Sequence, residues 1–113
     1  MLPTITFKIC IIFLFTALIV YSQDFKSIKR NAEYGNALSQ YDLAILYYVG
    51  DSVQVDKNKT IFWLTKSAEQ GYAKAQFYLG TFYYNGEING IDKPLAFNWF
   101  KKCAQQGHIG AQY

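Results

Sequence analysis

The stretch from Ala68 to Cys103, AEQGYAKAQFYLGTFYYNGEINGIDKPLAFNWFKKC, decides the fold, because the residues before it say nearly the same thing. Moved back by 36 positions, Ala68 falls on Ala32, Gly71 on Gly35, Gln76 on Gln40 and Leu79 on Leu43. Tyr83-Tyr84 falls on Tyr47-Tyr48, Gly86 on Gly50, Asp92-Lys93 on Asp56-Lys57 and Trp99 on Trp63. Moved forward by the same step, the block meets Ala104, Gly107, Ala111 and Gln112. A fixed period of roughly 20–50 residues is the mark of stacked units, each too small to bury its apolar face alone.

Within the period, the residues point to two helices. Gly35, Gly71 and Gly107 fall where a helix must end in a left-handed residue, and Gly50 and Gly86 stop the next one. Helix A therefore runs from about Ala37 to Tyr48 in one copy and from Ala73 to Tyr84 in the next. Asp56 and Asp92 are placed to cap helix B, with Pro94 in its first turn and Val55 and Ile91 as candidate hydrophobic staples. Trp63 and Trp99 recur at one position of helix B, which marks them as core. Ahead of the first copy, DFKSIKRNAE aligns with the second helix of a unit, with Asp24 as its candidate N-cap. The division that follows is 23–31 as a capping helix of a partial repeat, 32–67 and 68–103 as full repeats, and 104–113 as the start of a truncated third.

The first 22 residues are of another kind. After Lys8, an apolar run extends from Ile9 to Tyr21, long enough for a signal peptide and short of the roughly 20 residues that span a bilayer as a helix. Residues 1–22 therefore read as a cleaved signal, with Val20 and Ser22 ahead of Gln23 at the cleavage site, and the mature chain as periplasmic or secreted. The alternative is an uncleaved anchor holding the repeats to a membrane. Cys10 leaves with the signal, so Cys103 stands alone, in a slot filled by Ser67 one period earlier.

These residues together resemble the Sel1-like repeat, a relative of the tetratricopeptide repeat built from antiparallel helix pairs. AQFYLGTFYYNG, GIDKPLAFNWF and AQQG follow the family pattern closely, with Phe82 and Ile91 replacing leucine and valine. The earlier copy departs more, at Ser39, Ala44 and Thr60. The resemblance implies an all-α, right-handed α-solenoid with a concave surface, working as a scaffold or adaptor for other proteins.

The composition offers little chemistry. His108 is the single histidine, and no HExxH, Gly-rich phosphate loop or Cys-x-x-Cys occurs, so no catalytic residue, cofactor or metal site is expected. The rival reading is a β-lactamase-type hydrolase, a label carried by the cysteine-rich branch of this family. It lacks support, because no serine is followed by lysine three places on and the family's cysteine pairs are missing. The net charge is +3, and the lysines are scattered along the chain apart from Lys29-Arg30 and Lys101-Lys102, so no nucleic acid is expected as a partner. Asn58-Lys59-Thr60 fits a glycosylation acceptor but falls where helix B starts, and reads as an unmodified first turn.

Comparing the copies singles out a stripe. On helix A, Leu38, Asp42, Ile45 and Val49 become Lys74, Tyr78, Thr81 and Asn85, while their neighbours keep their character. The spacing of 4, 3 and 4 puts each set on one helix face. Stacking residues must stay alike in every copy, whereas residues facing a partner are free to differ. The stripe is thus expected to line a groove for a partner protein or peptide, the alternative being an idle solvent face. IGAQY, Ile109 to Tyr113, starts another helix and stops, so the chain is read as a fragment of a longer array or as one that self-associates through an open C-terminal face.

Overall fold

The computed structural model describes residues 24–87 and 89–107. Residues 1–22, read as a signal, His108 and the expected start of a third unit lie outside the described residues. Among those described there are five helices and no strand: α1 over 24–33, α2 at Ala37–Val49, α3 at Lys57–Glu69, α4 at Ala73–Asn85 and α5 at Lys93–Gln105. Asp24 is already helical, so it is not the N-cap that the sequence suggested. None of the described helices is long and apolar enough to cross a membrane.

Local chemistry sets the helix ends. The carboxylates of Asp56 and Asp92 accept from the backbone N–H of Lys59 and Leu95, each at 3.0 Å, and Asn36 does the same for Ser39 at 2.8 Å. Such a cap is worth about 1 kcal/mol. Gly50 and Gly86 end α2 and α4 in the left-handed region, at φ 77° and 71°. Val55 and Ile91 come against these glycines: a β-carbon there would lie 2.6 and 2.7 Å from their side chains. Val55 and Ile91, the expected staples, thus pack at the end of the preceding helix. Asn58 lies exposed in the first turn of α3.

Consecutive helices fold back on each other. The start of α3 meets the end of α2 through Asp56 N–H to the Tyr47 carbonyl (3.0 Å), and its last turn meets the start of α2 through the Ser67 hydroxyl to the Ala37 carbonyl (2.7 Å). The next pair repeats both bonds 36 residues on, from Asp92 N–H to Tyr83 (2.8 Å) and from the Cys103 thiol to Ala73 (3.3 Å). Each antiparallel pair is then fixed to the helix before it by a buried glutamine. The Gln40 amide donates to the Ala32 carbonyl in the last turn of α1, and Gln76 does so to Ala68 in α3, at 3.1 and 3.0 Å. Each of these carbonyls also accepts from the N–H of the glycine just past its helix, Gly35 or Gly71, at 3.0 Å. Gln70 and Gln106 complete the arrangement, donating to Gln40 and Gln76 at 2.7 Å.

One apolar core runs through both pairs. Ala44, Leu64, Ala68, Ala75, Leu79, Phe82 and Trp99 form one cluster, and Ala32, Leu43 and Tyr47 form another toward α1. Trp63 is half-buried and packs against both clusters, whereas Trp99 is buried within the first. Burying a leucine side chain fully contributes about 1.5–3 kcal/mol; Leu43, Leu64 and Leu79 are all fully buried. The architecture is an α-solenoid of helix pairs.

Candidate partner-binding face

Helices α2 and α4 come side by side, and their meeting edge is aromatic. Tyr41 lies between Tyr72 and Tyr78, with ring centroids 5.3 and 5.9 Å away. Phe77 extends the row from Tyr78 (5.7 Å) to Phe100 of α5 (5.9 Å). At the far end, Tyr48 stacks on Phe82 at 5.1 Å and donates its hydroxyl to Glu87 at 2.8 Å. Tilted and stacked aromatic pairs add about 0.5–1.5 kcal/mol each beyond their area.

None of the eight stripe residues is buried. Leu38, Val49, Lys74, Tyr78 and Asn85 are exposed, and Asp42, Ile45 and Thr81 are half-buried. The fold brings some of them together. Lys74 is close enough to Asp42 to favour its carboxylate, although burial has the larger effect and raises the Asp42 carboxyl above its ordinary range. Tyr78, with 39% of its surface exposed, leans on Tyr41. Thr81 is partly occupied, since its hydroxyl donates to the Phe77 carbonyl one turn back at 3.0 Å.

Two members of this surface escaped the copy comparison. Tyr41 pairs with Phe77 in the other copy, so it scored as constant. Tyr72 replaces Asn36, which looks like a lost N-cap; indeed α4 has no side-chain cap, and the Tyr72 ring is spent on Tyr41. Burial, with the phenols of Tyr78 and Tyr72 close by, pushes Tyr41 up to about 12. Elsewhere, a cleft opens between α1 and the loop after α2, where Phe25, Tyr47 and Val53 lie with Lys29 and Lys59. The Lys59 ammonium sits 5.2 Å over the Tyr47 ring.

The described residues hold no group of three or more His, Cys, Asp or Glu side chains placed to bind a metal ion. Cys103 is fully buried against a carbonyl, and burial pushes its thiol up, the reverse of what a nucleophile needs.

Stacked antiparallel helix pairs that repeat every 36 residues define a helical-repeat protein. The Sel1 repeat profile matches residues 37–72 and 73–108, and the chain belongs to that family. Its structure is similar to the crystal structure of a Sel1 repeat protein from Oxalobacter formigenes, with a TM-score of 0.77 and 34% identity over 80% of this chain and 68% of that one. It is also similar to c5321, a protective antigen present in uropathogenic Escherichia coli strains and displaying an SLR fold. There the TM-score is 0.77 and the identity 32%, over 82% of this chain and only 20% of that one. No curated protein matches the chain. Sel1 repeats generally mediate protein–protein interaction.

Proposed function

We propose that the chain is a non-catalytic adaptor that holds a peptide or helix of another protein across α2 and α4. The observation that carries this reading is the exposed band crossing both helices, in which the Tyr41–Tyr78 pair adjoins Asp42 and Lys74. Preformed rings on rigid helices lose little entropy on binding, and their apolar bodies supply contact area while the hydroxyls and charges set register. The band is fixed from behind by the core, so a partner meets a surface that is already shaped. The N-terminal apolar run from Ile9 to Tyr21 directs the adaptor out of the cytoplasm, with the mature chain starting near Gln23.

A photo-crosslinking residue in place of Tyr78, with a control in place of Asn98 on α5, tests the face. A defined adduct from the Tyr78 position that disappears in an Asp42→Lys variant supports it; equal adducts from both positions overturn it. Turnover of a chromogenic β-lactam by the folded chain would overturn the non-catalytic assignment. N-terminal sequencing of the exported chain tests the cleavage.

A further inference from the structure

The sequence holds two Asn-Gly pairs, Asn85-Gly86 and Asn89-Gly90, both in the second copy; one period earlier the same positions read Val49-Gly50 and Val53-Gln54. An asparagine followed by glycine is open to one intramolecular reaction. The glycine's backbone nitrogen attacks the asparagine Cγ, and the missing β-carbon lets it approach. A C–N bond forms, the bond from Cγ to the side-chain nitrogen breaks, and ammonia leaves. The five-membered succinimide that results takes up water and opens at either carbonyl. One opening gives aspartate; the other gives isoaspartate, in which the main chain runs through the side chain.

Asn85 and Asn89 are both exposed, so exposure does not tell them apart. The fold holds the two pairs differently. Asn85 is the last residue of α4, and the Gly86 N–H after it donates to the Phe82 carbonyl at 3.0 Å. Ile91 packs over Gly86, 2.7 Å from where a β-carbon would lie. The Gly86 nitrogen can reach the Asn85 Cγ only if this last turn of α4 opens. Asn89-Gly90 lies instead in the loop between α4 and α5. Gly90 is exposed as well, at φ 87°, and nothing beyond its chain neighbours comes within 4 Å of where its β-carbon would stand. The loop is anchored on either side of this pair, where Tyr48 of α2 donates to Glu87 and the Asp92 N–H donates to the Tyr83 carbonyl, each at 2.8 Å.

We infer that Asn89 is a modification site at which the folded chain converts, without an enzyme, to aspartyl and isoaspartyl forms, while Asn85 is protected by the end of α4. Either product adds one negative charge to the α4–α5 loop. The isoaspartyl form also lengthens the main chain between Gly86 and Asp92. Over that stretch Ile91 is seated on Gly86 and the Asp92 carboxylate caps α5. The entry of α5 and the charge of the loop thus change with the age of the chain.

Incubation of the folded full chain in warm, mildly alkaline buffer, followed by peptide mapping with mass spectrometry, tests this. Amide-to-acid conversion at Asn89, with aspartyl and isoaspartyl peptides both present, should run at least about tenfold faster than at Asn85, which corresponds to about 1.4 kcal/mol of protection. In urea the two rates should converge, because both dipeptides then have the same freedom. Equal rates at the two sites in the folded chain, or a faster one at Asn85, overturn the inference. So does an Asn89 that reacts in urea and stays intact in the folded chain.

Discussion

A β-carbon added to Gly80 would lie 2.7 Å from Cε1 of Phe100 and 3.1 Å from the carbonyl oxygen of Ala96. The glycine is helical and gains nothing from its backbone freedom; it is there because a ring fills the space. One period earlier the same two positions hold Ala44 and Leu64, both fully buried. The two copies thus solve one packing problem in two ways, a smaller helix-A residue with a larger helix-B residue, or the reverse.

Gly80→Ala should therefore destabilise the fold in spite of better helix propensity. The propensity gain is about 1 kcal/mol and the overpacking cost about 1–3 kcal/mol, for a net loss of about 1 kcal/mol. In a Phe100→Leu background the sign should reverse, since that pair reproduces Ala44 and Leu64. Urea unfolding of the four proteins gives the coupling directly, and additive effects would show that the contact does not govern the choice.

Gln76→Leu should cost about 1 kcal/mol, because it removes the buried side-chain bond to the Ala68 carbonyl, which keeps the Gly71 N–H as a donor, and the bond from the exposed Gln106 amide. Gln106→Ala, at an exposed position, should cost less than half as much. Thermal unfolding followed by helical circular dichroism separates the two.

Cys103 should resist thiol reagents in the folded chain and react freely in urea, read at the Cys103 peptide by mass spectrometry. Its Sγ is buried against the Ala73 carbonyl at 3.3 Å, which also rules it out as a ready partner for an intermolecular disulfide in the native state. Cys103→Ser should change stability by less than about 1 kcal/mol, since a buried hydroxyl that keeps its acceptor loses little and Ser67 already makes this bond to Ala37. Rapid native labelling would contradict the packing of α5 on α4.

Tyr41 gives the fold an alkaline limit. Its phenol is raised from 10.0 to about 12, chiefly by burial, so the folded state holds the neutral form more tightly than the unfolded state does. The stability that this supplies is intact below pH 10.0 and is lost as the pH climbs toward 12. Tyr41→Phe should flatten the loss across that window. Parallel pH profiles for the two proteins would show that another group sets the limit.

The helix boundaries and the period were legible in the residues because they are decided locally. A carboxylate three residues ahead of a free N–H, or a glycine at a left-handed position, acts within one turn of chain, and Asp56, Asp92, Gly50 and Gly86 behave as their neighbours dictate. The recurrence of small and aromatic residues every 36 positions then requires that copies stack, whatever the partner.

Which side chains meet across helices was settled only by the tertiary structure. Tyr41 keeps its character between copies and Tyr72 was not singled out in the sequence, yet they and Tyr78 form one aromatic row. Val55 turned to Gly50, and Trp63 came to bridge two clusters while Trp99 was buried in one. Each of these depends on how far apart two helices lie and how each is rotated about its axis. Those quantities come from fitting side-chain volumes together across the whole stack, and no single stretch of sequence contains them.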